Sequence, residues 1–540
     1  MKVKHKQKNI FSTPIFRTRI TTANVTFKEM LLGYFIGPFG VLILNASLAA
    51  FLNRFYTDSL GLSGAFLTIF PLISTIPVVA ANIIMGSIIE KTKTSQGKAR
   101  PYILIAAPLM ALTGILIFTV PTTNKMLEMI WIVVSYNLFY AGASAIYMAH
   151  GMMVPLSTRN IHQRGQLSVF SNAAAIGATG LFAAILLPLI IVPNIGNQRS
   201  WILIMGVIAI IAFVGALMEY FFTRERITEE NMKLNIEEEK TSTIKQLKAV
   251  TGDKYWWLII VFILIFQFSL VIKNLSLSYY CGSVLGDPDG KVQSTLALIS
   301  GLPLAAGMFV IGPLANKFGK RNVLIGGFLI SVVGGIVNII FPTNFTMAII
   351  GQTIKGIGGV PGTYILVALL ADILDHLEAR FGFRCDGLTM ALYSAIGIAS
   401  SGVSMSIFNL MLSVGGYNGL LTTQPDSAKT VIIIGFIGIE VVTHAILAVM
   451  LIFITVEKYI KKNQQQILER QKAAVLAVGG QWIEPAERLR MEQEQAELEA
   501  EEARKKELEK YCKKKNLCYE IEEEKYQRKK IKAERKGRQI

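Results

Sequence analysis

Glu440 and His444 stand four residues apart in "GIEVVTHAIL", so a helix would carry a carboxylate and an imidazole on one face, a pair able to take up and release a proton. Glu440 is also the acid that falls clearly in the middle of an apolar run, although a purely structural hydrogen-bonded pair would look the same. His150 offers a second imidazole near the end of an earlier run, as a proton carrier or as a packed, hydrogen-bonded ring. A different chemistry, hydrogen bonding to a polyol, is suited by Tyr136, Asn137, Tyr140 and Tyr147, spaced near whole helical turns, together with Asn45 and Asn172. Tyr136 and Tyr140 equally fit an aromatic belt at a membrane surface. Lys273, with Gln267 and Asn274, could hold an anionic group or snorkel to the headgroups. Lys355, Tyr393 and Ser394 complete a weaker set. No Ser/His/Asp, metal-ligand or paired-carboxylate constellation accompanies them, and Cys281, Cys385, Cys512 and Cys518 have neither zinc-site spacing nor histidines nearby. The chain therefore reads as neither an enzyme nor a cofactor or metal protein.

These groups must be positioned by apolar elements. Of 540 residues, 52% are hydrophobic and only 17% charged, with a mean hydropathy of +0.47, too apolar for a soluble globule. Runs long enough to cross about 30 Å of hydrocarbon lie near 31–52, 62–89, 101–121, 128–154, 168–193 and 200–222, then 256–282, 293–315, 323–342, 346–370, 387–414 and 429–456. The expected organisation is a polar segment 1–30, a six-helix half 31–222, a charged linker 223–255, a second half 256–456 and a charged helical tail 457–540 projecting into solvent, whose dense i,i+4 acid and base pairs also leave room for a partner. The opening residues lack the apolar core and cleavage pattern of a signal peptide. The net charge of +17 sits in the opening segment, short loops and tail, which by the positive-inside rule makes both termini cytoplasmic and does not indicate nucleic acid.

Two loops repeat. "GSIIEKTKTSQGKAR" (Gly86 to Arg100) and "GPLANKFGKR" (Gly312 to Arg321) each open on Gly at a helix end and finish with Gly and bases, as a parallel repeat of two halves with a site between them predicts. The stretch "ADILDHLEARFGFRCDG", residues 371 to 387, reads as a charged loop on the same side. Its Asp372, Asp375, Glu378, Arg380 and Arg384, with Arg100 and Arg321 of the repeated loops, are expected to form ion pairs that gate the two halves, topology-setting being the simpler role. "KGIGGVPG" (Lys355 to Gly362) supplies a flexible, close-packing surface for rocking, with no preceding strand to make it a nucleotide loop.

"GPLANKFGKR" resembles the loop motif of the major facilitator superfamily, with Asn316 where that motif usually has Asp. Within it, "FYTDSLGL", "MGSIIEKTKTSQGKARPYIL", "RGQLSVFSNAAA" and "SYYCGSVLGD" resemble the glycoside-pentoside-hexuronide:cation symporters, of which the melibiose permease is the familiar member. The resemblance runs from the first helix to the twelfth and omits the tail. It implies an all-α membrane protein of twelve transmembrane helices in two halves, carrying a sugar by alternating access. It also implies a cation site whose acidic positions fall here on Val78 and Asn82, and sugar-binding positions that fall on Leu42, Tyr147, Asn172 and Ile398. Without those acids, proton coupling or uncoupled transport is favoured over sodium symport. The resulting expectation is a plasma-membrane symporter of a sugar, glycoside, pentoside or hexuronide. A transporter of a lipid-like amphiphile and a sensor or scaffold signalling through its tail remain the alternatives.

Overall fold

The apolar runs become helices whose starts are set by side-chain caps. Thr26, Ser63, Asn124, Asn197, Asp253 and Asn344 each accept a backbone N–H of the turn that follows. The computed structural model describes residues 16–228 and 248–534, apart from residues 23, 93, 95, 122, 123, 159, 249, 384, 385, 478 and 480. Its main helices are α1 (Phe27–Ser59), α2 (Gly64–Lys91), α3 (Arg100–Leu116), α4 (Lys125–Ser157), α5 (Gln163–Asn194) and α6 (Gln198–Phe222) in the first half. The second half has α7 (Lys254–Leu285), α8 (Lys291–Phe318), α9 (Lys320–Ile340), α10 (Phe345–Phe381), α11 (Asp386–Val414) and α12 (426–453). Among the described residues, ten helices are long and apolar enough to cross a membrane, and α8, bent by 58° between Gly307 and Phe309, makes an eleventh if counted as one span. Pro313 lacks the N–H that would bond the Phe309 carbonyl, which accounts for a break at that level. At 17 residues, α3 is shorter than the run 101–121 predicts. It stops where Trp131 Nε1 donates to the Leu116 carbonyl at 2.8 Å, and Pro121 disfavours helix beyond.

The repeat expected from the two glycine-bounded loops has a physical counterpart. Gly97 (φ +106°) and Gly319 (φ +83°) turn the chain into α3 and α9 with a backbone that side chains rarely adopt. Three residues past α6, the Glu225 carboxylate accepts the N–H groups of Lys98, Ala99 and Arg100 at 2.8–2.9 Å. Four residues past α12, Glu457 accepts those of Lys320 at 2.7 Å and Arg321 at 3.3 Å. In each half, then, an acid just beyond the last helix closes the N-terminus of the third, where unpaired N–H groups and the helix dipole favour negative charge. Glu225→Ala and Glu457→Ala are each expected to destabilise their half by about 1–2 kcal/mol, read as a lower midpoint in thermal unfolding of the detergent-solubilised protein.

The charged stretch from residue 371 is not a loop: residues 371–381 continue α10 by three turns. Acids and bases there pair with neighbours at the same end of the bundle, so they are compatible with helix. Lys320 Nζ lies 2.7 Å from Asp372, and Arg380 Nη1 lies 2.7 Å from Asp253. Arg100 likewise donates to the Tyr220 carbonyl at 2.7 Å and to Gln96. All of these contacts stay within one half, so with the bundle shut at its opposite end they do not bridge the halves. Asp375 and Glu378 have partners of their own, the Glu378 carbonyl among them accepting from Arg470. Arg384 lies outside the described residues. The glycines after Lys355 pack closely in part: Gly358 meets Gly327 and Ser331 of α9 and Gly356 meets Ser300 of α8, all inside one half, whereas Gly359 has open space beside it.

The tail forms α13 (Ile460–Ala477), α14 (Pro485–Lys515) and α15 (Tyr519–Glu534). Its start does not simply project into solvent. From α13, Asn463 reaches His376, and Arg470 donates to the carbonyls of Glu378 and Ala379 at 2.9 and 3.0 Å in the last turn of α10, beside the Gly382 N–H that caps Glu378. Further on, α14 and α15 pair as a hairpin in which Arg504 bridges Glu501 and Glu523, holding the Glu523 carboxyl down to about 2.

Candidate functional site

Between α5 of the first half and α7, α8, α10 and α12 of the second lies a cavity of about 700 Å³. Its walls are mostly apolar. The polar groups converge on Glu440, halfway along α12: Lys273 Nζ of α7 sits 2.7 Å from Glu440 Oε1, and Lys355 of α10 contacts Oε2. The Lys355 side chain is fully buried, that of Glu440 6% exposed, and that of Lys273, nearest the open space, 22% exposed. A helical turn widened to π geometry over Ile434–Gly438 immediately precedes Glu440. His444, one turn on, does not pair with Glu440. Its Nδ1 meets Ser331 Oγ of α9 at 2.7 Å. Asn274, Ser269, Ser300, Gln352 and Thr363 supply the remaining polar lining.

The structure thus brings Lys273, Asn274, Lys355, Glu440 and His444 together and leaves most of the first-half set elsewhere. Tyr136 packs edge-on against Phe70 of α2 and tilted against Tyr140, and Asn137 donates to Ser74 of α2 at 3.0 Å. The reason is that α4 is sandwiched between α2 and α3, so the face that the tyrosine spacing creates is spent on helix packing and does not line the cavity. Tyr147 lies beside Asn45 of α1, Asn172 is exposed, and Tyr393 packs into the apolar core formed by α7, α9 and α10. Val78 is buried in apolar contacts and offers no oxygen to an ion, while Asn82 is half-buried. Leu42 and Ile398 are packed against the same core as Val78.

His150 has a partner that the sequence reading overlooked. Glu219 of α6, buried at the end of its helix, accepts from or donates to His150 Nδ1 at 2.7 Å, and Ser171 Oγ lies 3.2 Å from the other ring nitrogen. A second missed set seals the end of the bundle opposite the termini. α1 runs seven residues beyond its apolar stretch, carrying Arg54 and Asp58 as an i,i+4 pair at 2.9 Å. Arg54 also donates to the Ser278 carbonyl and hydroxyl of α7 at 2.7 and 2.6 Å. Asp58 accepts from Tyr417 at 2.9 Å, and Asn53 meets Tyr279 of α7 and Asn409 of α11 at 2.9 Å each. These groups are buried, and close helix approach surrounds them: a Cβ on Gly64 would strike Ser413, and one on Gly402 would strike Thr75. A signal was available in "NRFYTDS", where opposite charges stand four apart at the edge of an apolar run.

Among proteins of known family, residues 33–458 match the sequence profile of the MFS/sugar transport protein family, which is most of the chain. The chain belongs to that family. It is a multi-pass membrane transporter and not an enzyme. Its relatives include an isoprimeverose transporter of Lactiplantibacillus pentosus, 28% identical over 455 residues that cover 81% of this chain and 91% of the relative. A lactose permease of Lactobacillus helveticus is 24% identical over 406 residues, 72% of this chain and 61% of the permease. Among solved structures, a D-xylose-proton symporter aligns with a TM-score of 0.54 over 78% of this chain and 97% of its own, at 15% identity, a likeness of fold. In this transporter the charged lining of the cavity, among the described residues, comes from the second half and faces an apolar α5 wall.

Proposed function

We propose that the chain carries a sugar, glycoside, pentoside or hexuronide across the cell membrane by alternating access, with twelve spans and with both termini and the tail on the cytoplasmic side. The observation that carries this reading is the cavity at the junction of the halves with the Lys273–Glu440–Lys355 cluster in its wall, lying beneath an end sealed by Arg54, Asp58, Asn53 and their cross-half partners. Sealed on the far side, the molecule corresponds to a cytoplasm-facing state, and breaking and remaking that seal is the motion that transport requires. Binding falls to Lys273 and Asn274 with Lys355 and Gln352. Tyr147, Asn45 and Asn172 join them when the halves close on the other side.

Proton coupling or uncoupled passage suits this chain better than sodium coupling. The positions where the family resemblance puts acids for a cation hold Val78 and Asn82, and a sodium ion wants several oxygens with negative charge. Glu440, with His444 one turn away, is the group placed to exchange a proton as the lysines move. The decisive experiment is uptake of labelled glycosides, pentosides and hexuronides into proteoliposomes under no gradient, a pH gradient or a sodium gradient. Accumulation with pH alone supports the reading, accumulation with sodium alone sinks its coupling, and no movement of any saccharide sinks the transport reading itself.

A sensory role has one observation in its favour: α13 is docked directly on α10, the helix that carries Lys355. Removing the tail separates the readings, but the cut has to fall beyond Glu457, which holds α9, and beyond α13. Deleting 485–540 is expected to leave uptake within about two-fold of the full chain, measured in the same vesicles. A sensor would lose its output.

A further inference from the structure

The transport reading leaves the chemical class of the cargo open, and the charges around the cavity narrow it. Among the described residues, four ionisable side chains line it: Lys273, Lys355, Glu440 and His444. The single carboxylate is shared, one oxygen to each ammonium, and the His444 ring is engaged with Ser331. With that imidazole neutral, the wall holds two positive charges against one negative. The α5 face opposite, with Ala173, Ile176, Gly177 and Gly180, has no charge to offer. An unbalanced charge in a protein cavity within a bilayer costs several kcal/mol, so a guest that brings one negative charge is favoured over a neutral guest of the same shape.

Resting on that transport reading, we infer that the cargo is a monoanionic saccharide whose carboxylate or sulfonate is held by Lys273. Between the two lysines the choice follows from geometry. Lys355 is fully enclosed behind Glu440, whereas Lys273 is the more exposed partner and has ammonium protons beyond the one directed at Oε1. When the anion takes Lys273, Lys355 keeps Glu440 and the cavity becomes neutral without a buried charge being stranded. A second feature points the same way. Gln352, one turn before Lys355 on α10 and 1% exposed, lines the cavity with its Oε1 at 3.3 Å from Ser300 Oγ, while its Nε2 has no acceptor among the described residues. A buried amide donor without an acceptor costs about 1–3 kcal/mol, and an anionic or hydroxyl oxygen of the guest relieves it.

The test uses the full chain in proteoliposomes with the membrane potential clamped at zero. Uptake is compared for matched pairs that differ only at C6: methyl glycuronides and 6-deoxy-6-sulfo methyl glycosides against the corresponding neutral methyl glycosides, in gluco, galacto and manno configurations. The expected result is at least a ten-fold preference for an anionic member over its neutral twin. In Lys273→Gln that preference collapses towards unity, and the variant is expected to fold because Glu440 retains Lys355. Lys355→Met, which leaves Glu440 with Lys273 and no surplus charge, is the second variant and loses the preference too. A neutral glycoside moved as well as or better than its anionic twin overturns the inference and leaves the transporter standing. A preference that persists in both variants overturns the assignment to these lysines. If no saccharide of either kind moves, and none shifts the thermal midpoint of the purified protein, the inference falls together with the transport reading.

Discussion

Glu440→Gln is expected to abolish accumulation driven by a pH gradient while exchange of substrate across the membrane persists. Each oxygen of that carboxylate holds a different ammonium, so the amide cannot replace it: the charge that both lysines share is gone. Removing one partner of a buried pair costs about 3–5 kcal/mol, enough to change a conformational equilibrium by more than about a hundred-fold. Exchange needs only that the site bind and rock. Accumulation also needs a group that loses and regains its proton in step with the motion, and no other acid lines the cavity among the described residues. Loss of expression would blur the result, so Glu440→Gln is best measured beside Glu440→Gln/Lys355→Met, which restores part of the charge balance and should recover yield without recovering accumulation. Unaltered pH-driven accumulation in either variant would show that the coupling group lies elsewhere, His150 with Glu219 being the next pair to examine.

The second large effect is expected at the sealed end. Asp58→Asn keeps the size of the side chain but leaves the buried Arg54 guanidinium without its counter-charge and weakens the acceptor for Tyr417. The same 3–5 kcal/mol scale applies, and it falls mainly on the sealed state, because Arg54 is buried against Ser278 of the other half only while that end is shut and reaches water when it opens. A two-state molecule biased by that amount moves towards the far-side-open form by about two powers of ten or more. Labelling a cysteine placed at Leu412, which is 3% exposed beside Asn409 and Tyr417 in the seal, with an impermeant thiol reagent from the far side reads this directly and should speed up at least about ten-fold. An unchanged labelling rate would mean that the apolar contact of α2 with α11, and not the polar network, keeps the end shut.

How far the sequence reaches can be judged from these same residues. The helices and the repeat were legible because each rests on a local pattern: about twenty apolar residues, a capping side chain, a glycine before bases. The glycine loops even located the place where Glu225 and Glu457 act, although nothing local announces an acid four helices further along the chain. The site was legible in part. Glu440, Lys273 and Lys355 stood out because a charge inside an apolar run costs about 2.5–3.5 kcal/mol and is kept for a reason, but that they meet is a fact of packing among α7, α10 and α12. Periodicity alone shows that Tyr136, Tyr140 and Tyr147 form a face. Which neighbour that face meets is decided by the placement of α4 between α2 and α3. Arg54 and Asp58 were missed because the reading ended α1 with its apolar run, and the helix continues for as long as its charges find partners. The stretch from residue 371 misled for the same reason.

The acids that close each half also bear on how the molecule is made. Glu225 follows α6 by three residues, so the acid that closes the start of α3 has been synthesised before the first residue of α7 is added. Synthesis runs from the N-terminus, and units that can finish early do so. The first six helices can therefore be latched as a unit in the membrane while the second six are still being made. The later half stays unlatched until residue 457 is made, so a chain interrupted between α7 and α12 carries one closed half and one open half.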